Sequence, residues 1–225
     1  TQDKCTRACS YCPRSIDKNF EQTIMKKELF YNIIDELAKI KYKGKIDLTN
    51  YGEPLLDERL EEFVSYIKKE LGINPFLFTN GDLLTVERLR KLVNSGLAYV
   101  HITQHGNSMS KNLKEFFKQA TKQDLKHIKF EKRDENSLNL NRGGLLKVNN
   151  NWNKGRFCRA PANMLIIRAN GTVSLCCNDY FNKVIQGNLN EQSIIEIWQD
   201  PINKKRREEL SKGNLIEPIC KACRA

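Results

Sequence analysis

The 225-residue sequence predicts an α/β protein: a parallel sheet with helical crossovers, followed by a small cysteine-bearing cap. Short apolar runs alternate with helix-period stretches at least four times, the rhythm of strand–crossover–strand units. Those runs close on polar residues or glycine, at 49–52, 79–81 and 103–106, the ends at which parallel sheets place their sites. After Gly144 the rhythm stops, and a second group of cysteines follows.

The elements follow in chain order. The run 26–42 sets Leu29, Ile33, Leu37 and Ile40 on one helical stripe. Residues 45–49 read as a short strand that enters a loop containing Gly52 and Pro54. The stretch 57–70 returns to helical spacing through Leu60, Phe63, Val64 and Ile67. "INPFLFTNG" is a strand stopped by Asn80-Gly81, and Thr85 then caps a helix through Val93 that Gly96 ends. "AYVHITQHG" is the next strand, 110–121 a helix through Leu113, Phe116, Phe117 and Ala120, and "HIKFEK" a further strand, with "GLLKV" as one more. Beyond these, "NMLIIRANGTVSLCC" folds back at Asn170-Gly171 as a hairpin. A "GNL" turn, a helix from Ser193 to Trp198, a charged helix after Pro201 and "PICKAC" complete the chain. The expected division is 1–150 for the α/β body and 151–225 for the cap.

Formal charge is +11, from 38 Lys and Arg against 27 Asp and Glu. The surplus is spread over helix surfaces; in its densest run, "KKRREE", acids offset half of the bases. Nucleic acid is therefore not the expected partner. No apolar run approaches the ~18 residues of a membrane span, so no membrane partner is expected. "CTRACSYC" lies just before the first helix, so its own strand is expected to precede Thr1. The eight cysteines gather at the two ends, with none between Cys12 and Cys158. Disulfide staples suit small secreted domains, whereas clustered thiols in a chain with well-supplied apolar helices favour metal.

Cys5, Cys9 and Cys12 supply three thiols from one loop. A closed zinc site takes four ligands. Three thiolates on a four-iron cubane leave one iron free for a small molecule. With Tyr11 before the last cysteine, "CTRACSYC" resembles the signature of the radical S-adenosylmethionine (SAM) superfamily. That resemblance implies a partial (β/α)6 TIM-like barrel and a 4Fe–4S cluster on Cys5, Cys9 and Cys12 whose open iron chelates SAM. It also implies reductive cleavage of SAM to a 5′-deoxyadenosyl radical, with Tyr11 near the adenine. "YGEP" (Tyr51, Gly52, Glu53, Pro54) resembles the family's Gly-Gly-Glu-Pro-like loop for the SAM amino group, with tyrosine in place of the first glycine. "FTNG" resembles the next strand end, bringing Thr79 and Asn80 near the ribose; "ITQHG" resembles the one after, turning Gln104 to SAM.

Cys158, Cys176, Cys177, Cys220 and Cys223 form the second group. Cys220 and Cys223 bite as a C-x2-C pair, and Cys176 ends a hairpin strand. In a regular strand its neighbour Cys177 points to the opposite face, so one of the two is expected to ligate. Four thiolates close a site, whether for zinc or for a fully ligated cluster. Together with Gly171, "GNL" and "IIEIW", the layout resembles the twitch form of the SPASM cap. It implies one auxiliary 4Fe–4S cluster on Cys158, Cys176, Cys220 and Cys223. Within the superfamily the spacing is similar to that of aminocyclitol dehydrogenases of the butirosin type. The implied chemistry is hydrogen abstraction from a small polar, sugar- or aminocyclitol-like substrate, then one-electron oxidation through the auxiliary cluster. An external one-electron donor such as flavodoxin or ferredoxin would feed the first cluster. The cytoplasm is the expected location on the ground that exposed cubanes are sensitive to oxygen.

Four residues are candidate reacting groups. Arg142, in "NRGG", is expected near the barrel mouth to bind a hydroxyl or take a proton. His101 and His105 flank a strand end. Cys177 is a candidate hydrogen donor if the reaction is redox-neutral epimerisation. Maturation of a peptide substrate is a further alternative, as is a two-cluster electron carrier, which leaves "YGEP" and the three-thiol count without a purpose.

Overall fold

The computed structural model describes residues 1–17, 22–106, 108–133, 141–147 and 157–223. Helix α1 (Lys27–Lys39) buries Leu29, Phe30, Ile33 and Ile34, two adjacent i, i+4 pairs that make one stripe. Ile40, expected on that stripe, is instead the C-cap residue and is 42% exposed, because Lys41 at φ 54 turns the chain away. Helix α2 (Leu60–Leu71) buries Leu60, Phe63, Val64 and Ile67 as its spacing requires and ends on Gly72, whose left-handed φ of 67 costs glycine nothing.

Strands β1 (Phe76–Thr79), β2 (Tyr99–His105) and β3 (Ile128–Arg133) form a parallel sheet in the order β1-β2-β3. Between them run α3 (Val86–Asn94), capped by the Thr85 hydroxyl, and α4 (Lys111–Gln119) with the short α5 (Lys122–Leu125). The strand expected at 45–49 is reduced to one parallel bridge, Asp47 to Phe76. Thr49 gives the reason: its hydroxyl accepts from the Phe78 amide at 2.8 Å and donates to the Phe78 carbonyl at 3.2 Å, so a side chain replaces the next rung. Val100 and Ile102 of β2 face the helices and join Leu77, Leu89, Leu92, Leu113 and Phe116 in the main core. The opposite face carries an aromatic row: Phe76 stacks on Tyr99 at 5.0 Å and Phe78 on His101 at 4.5 Å.

"GLLKV" is not a strand in its described part. Residues 141–146 turn, with Gly144 and Leu146 amides both donating to the Asn141 carbonyl. Arg142, Gly143 and Gly144 have φ of 51, 66 and 90, outside any strand conformation. Val148 and the division expected at 150 lie outside the described residues.

The C-terminal part opens with α6 (Ala160–Asn163). Strands β4 (Ile166–Ile167) and β5 (Thr172–Ser174) form the expected hairpin. Its loop has three residues: the Arg168 amide donates to the Thr172 carbonyl at 2.9 Å, and Gly171 takes φ 88, the bulge position of such loops. A third strand, β6 (Ile185–Asn188), pairs antiparallel with β5 where the sequence suggested only a turn. Helices α7 (Ile194–Gln199), α8 (Pro201–Ser211) and α9 (Pro218–Ala222) follow. Cys176 lies beyond the end of β5, so strand alternation does not separate it from Cys177; both are half-buried. A small second core of Leu175, Val184 and Leu210 packs against Cys158, Leu215, Ile219 and Cys220. Among the described residues no helix is long and apolar enough to cross a membrane.

Candidate cluster and cofactor site

All eight cysteines are free and half-buried, which removes the disulfide option. In the N-terminal loop, burial pushes the Cys9 thiol up, the Tyr11 hydroxyl bound to it pulls it down, and the nearby Cys12 and Cys5 thiols add to the rise. Burial likewise raises Cys12, with Cys5 again a contributing neighbour. The three sulfurs therefore share one electrostatic neighbourhood. Among the described residues no three Cys, His, Asp or Glu side chains close on a single metal ion. A cubane spreads its thiolates over several irons, so it needs neighbouring sulfurs rather than one shared point.

The loop is tied to the ends of β1 and β2 by side chains. Arg7 forms two 2.5 Å bonds to the Asp82 carboxylate and a third, at 3.3 Å, to the His105 carbonyl. Asn80 donates to the Thr6 hydroxyl at 2.9 Å and lies 3.9 Å from the Cys5 sulfur. The Tyr11 hydroxyl hydrogen-bonds His105 Nδ1. Burial, reinforced by Arg7 and Arg133, depresses His105 to about 4, so its ring is neutral near pH 7.

"YGEP" packs directly on the segment that leads to Cys5. The Glu53 amide donates to the Lys4 carbonyl at 2.6 Å. A Cβ on Gly52 would stand 2.2 Å from the Gln2 carbonyl, so only glycine fits there. The Glu53 carboxylate is buried and accepts from the Thr79 hydroxyl at 2.6 Å and the Asn80 amide at 2.9 Å. Its side chain thus joins the loop to the β1 end, and Pro54 begins a short 3₁₀ turn behind it. Gln104 shares the helix-facing side of β2 with Val100 and Ile102 and donates to the Gly106 carbonyl. His101 lies two residues below Thr103 on the aromatic face, 3.3 Å from Glu131.

In the cap, burial pushes Cys176 up to about 12, and the neighbouring Cys177 and Cys223 thiols add to the rise. Cys220 is raised to about 12 as well, first by burial and then by Cys176, Cys158 and Cys223. Four thiols from three separate segments therefore converge, and Cys177 stands beside them near Cys158. The donor set fits a fully ligated cluster.

Between the two cysteine groups lies a seam of aromatic rings and guanidinium groups. The Tyr51 hydroxyl donates to the Cys177 carbonyl, and its ring meets Tyr180 edge-on at 4.7 Å. Arg142 sits 5.9 Å and Arg168 5.3 Å from the Tyr51 ring centre. Arg142 also donates to Asn178 at 3.3 Å. Its turn is fitted to α9: a Cβ on Gly143 would meet Ile219 at 2.6 Å, and one on Gly144 would meet Ala222 at 2.8 Å. Sequence reasoning missed Asp82, Arg168 and Tyr180. Arg7, inside the cysteine loop, was the available signal for Asp82; no motif marked Arg168 or Tyr180.

The comparisons with known proteins agree with this geometry. Residues 1–145 match the family model of the radical SAM superfamily, and residues 158–224 match that of an iron–sulfur cluster-binding domain, SPASM. The chain is 31% identical over 224 residues to the S-adenosyl-L-methionine-dependent 2-deoxy-scyllo-inosamine dehydrogenase of Niallia circulans, covering 98% of this chain and 88% of that protein. It resembles the crystal structure of BtrN in complex with AdoMet and 2-DOIA with a TM-score of 0.90 at 30% identity, over 100% of this chain and 90% of that one. The AdoMet-bound structure of anSMEcpe, at 14% identity and a TM-score of 0.60 over 98% of this chain and 83% of that one, shares the fold. The protein is thus a SAM-dependent oxidoreductase that uses iron–sulfur clusters. It belongs to the radical SAM superfamily and carries a SPASM domain at its C-terminal end.

Proposed function

We propose that the chain dehydrogenates a secondary alcohol of a small polyhydroxylated substrate, sugar- or aminocyclitol-like, to the ketone. The observation that carries this is the likeness, through both the cysteine loop and the cap, to a SAM-dependent aminocyclitol dehydrogenase. Residues 1–150 form a partial (β/α)6 barrel and 151–225 a twitch-type cap; the parallel order β1-β2-β3 and the two family matches support that division. Cys5, Cys9 and Cys12 hold the SAM-binding 4Fe–4S cluster, and Cys158, Cys176, Cys220 and Cys223 hold the auxiliary one. When bound, these groups supply a 5′-deoxyadenosyl radical and a one-electron acceptor. Tyr11, the backbone of "YGEP", Thr79 and Asn80 form the cofactor's side of the pocket. The Arg142 guanidinium binds the reacting hydroxyl and stabilises negative charge on that oxygen as its proton passes to water. A reduced one-electron carrier, flavodoxin or ferredoxin, serves the first cluster, and the protein works in the cytoplasm with them.

The test is anaerobic turnover of the reconstituted, reduced protein with SAM and 2-deoxy-scyllo-inosamine. Ketone and 5′-deoxyadenosine in equal amounts are expected. Deoxyadenosine without ketone from any aminocyclitol or sugar would overturn the substrate class. A second reading, epimerisation, is favoured by one observation: Arg142 lies beside the Cys177 thiol, and the carbonyl of the same residue accepts from Tyr51. Turnover in D2O separates the two, because an epimerase would return substrate carrying carbon-bound deuterium and no ketone.

A further inference from the structure

The cysteine loop has little backbone structure of its own. Within it, the Cys12 amide bonds back to the Cys9 carbonyl at 2.9 Å. Its shape is set by side chains, and those that grip the body are not the cysteines. Arg7 turns in to Asp82 while its neighbours Thr6 and Ala8 are exposed. Asp82 is itself fixed: its amide donates to Asn80 Oδ1 at 2.9 Å, and its carbonyl accepts from Asn112 at 2.8 Å. Tyr11 bonds to His105 at the end of β2, and the same hydroxyl reaches the Cys9 thiol. Two clips therefore alternate with the three cysteines, Arg7 to Asp82 beyond β1 and Tyr11 to His105 at the end of β2.

We propose that Asp82 and His105 are positioning residues for the first cluster: they hold the loop by Arg7 and Tyr11 in the shape the cluster takes, and they keep the Tyr11 hydroxyl against the Cys9 sulfur. Groups that orient metal ligands from behind govern metal affinity, and hydrogen bonds to a cluster's sulfurs govern its potential. A loop already shaped loses less conformational freedom on loading and on binding SAM. His105 suits the task, because an Nδ1–H that donates to the Tyr11 oxygen leaves the hydroxyl proton to point at the Cys9 sulfur. The assignment rests on Cys5, Cys9 and Cys12 as the cluster ligands.

The experiment compares Asp82→Asn, His105→Leu, His105→Gln and Tyr11→Phe with the parent in the reconstituted holoenzyme. Readouts are iron per chain, the EPR signal of the reduced first cluster with and without SAM, its midpoint potential and the melting temperature. Asp82→Asn should load less of the first cluster while the auxiliary signal stays, and should weaken SAM binding by about three- to tenfold. Tyr11→Phe and His105→Leu should each move the potential of the first cluster to more negative values. Their combination should add nothing further, and His105→Gln, whose side-chain amide keeps a donor, should stay close to the parent. Lower melting temperatures with parental iron content, SAM affinity, EPR signal and potential would overturn the proposal. A triple Cys5, Cys9, Cys12→Ala variant marks the other failure: a SAM-responsive signal that survives it would overturn the ligand assignment itself.

Discussion

The two cysteine sets are built in opposite ways. The N-terminal three come from eight consecutive residues, mounted on a body with a large apolar core and clipped to it by charged and polar side chains. The C-terminal four come from three segments, and two of them, Cys158 and Cys220, pack against a core whose buried members, among the described residues, are Leu175, Val184 and Leu210. The first set is held open by its surroundings. The second helps to make its surroundings, because so small a core needs a staple. The difference suits the roles: an iron that must accept a ligand needs a preformed and incomplete cradle, whereas a closed electron acceptor can be part of the fabric.

That contrast can be broken in graded steps. Cys9→Ala should reduce 5′-deoxyadenosine formation at least about a thousandfold, about 4 kcal/mol of barrier, while the cap's cluster signal persists. Stripping iron with a chelator should raise protease cleavage within 157–223 about tenfold or more and leave the body's fragments intact; equal sensitivity in both regions would erase the distinction. Arg142→Ala should slow ketone formation about a hundredfold while deoxyadenosine still forms, as expected when a residue binds substrate rather than cofactor.

Two smaller effects sharpen the picture. His105 is depressed to about 4 from an ordinary 6.5, chiefly by burial. Between those values the unfolded chain binds more protons than the folded one, so stability rises with pH across the window and falls on acidification. For the metal-free chain this should cost about 1–2 kcal/mol from pH 6.5 to pH 4, after discounting for a half-buried ring, and His105→Gln should flatten the slope. Tyr51→Phe removes the hydroxyl that reaches the Cys177 carbonyl and should lower stability by about 1 kcal/mol in denaturant unfolding.

What could be read in advance was local. The three-cysteine spacing, "YGEP" and the helix stripes each depend on residues a few positions apart. So did the cap at Thr85, whose hydroxyl accepts the Arg88 amide. What escaped depends on distant partners. Arg7 and Asp82 are 75 positions apart, and Tyr180 meets Asp17 across 163. Residues 45–49 have a strand's composition but lose their ladder to the Thr49 hydroxyl, and β6 exists only because β5 offers it an edge. Pairing, unlike periodicity, is not written in one segment.

The left-handed turn 142–144 carries a last consequence. Its two glycines rest on the cap's final helix with no room for even a methyl group, so that helix works as a floor that sets how far the arginine above it can reach. A chain cut before Pro218 would keep the arginine and lose its footing. Altered substrate ranges in this scaffold should accordingly arise from side chains around the guanidinium, since the turn itself tolerates neither bulk nor displacement.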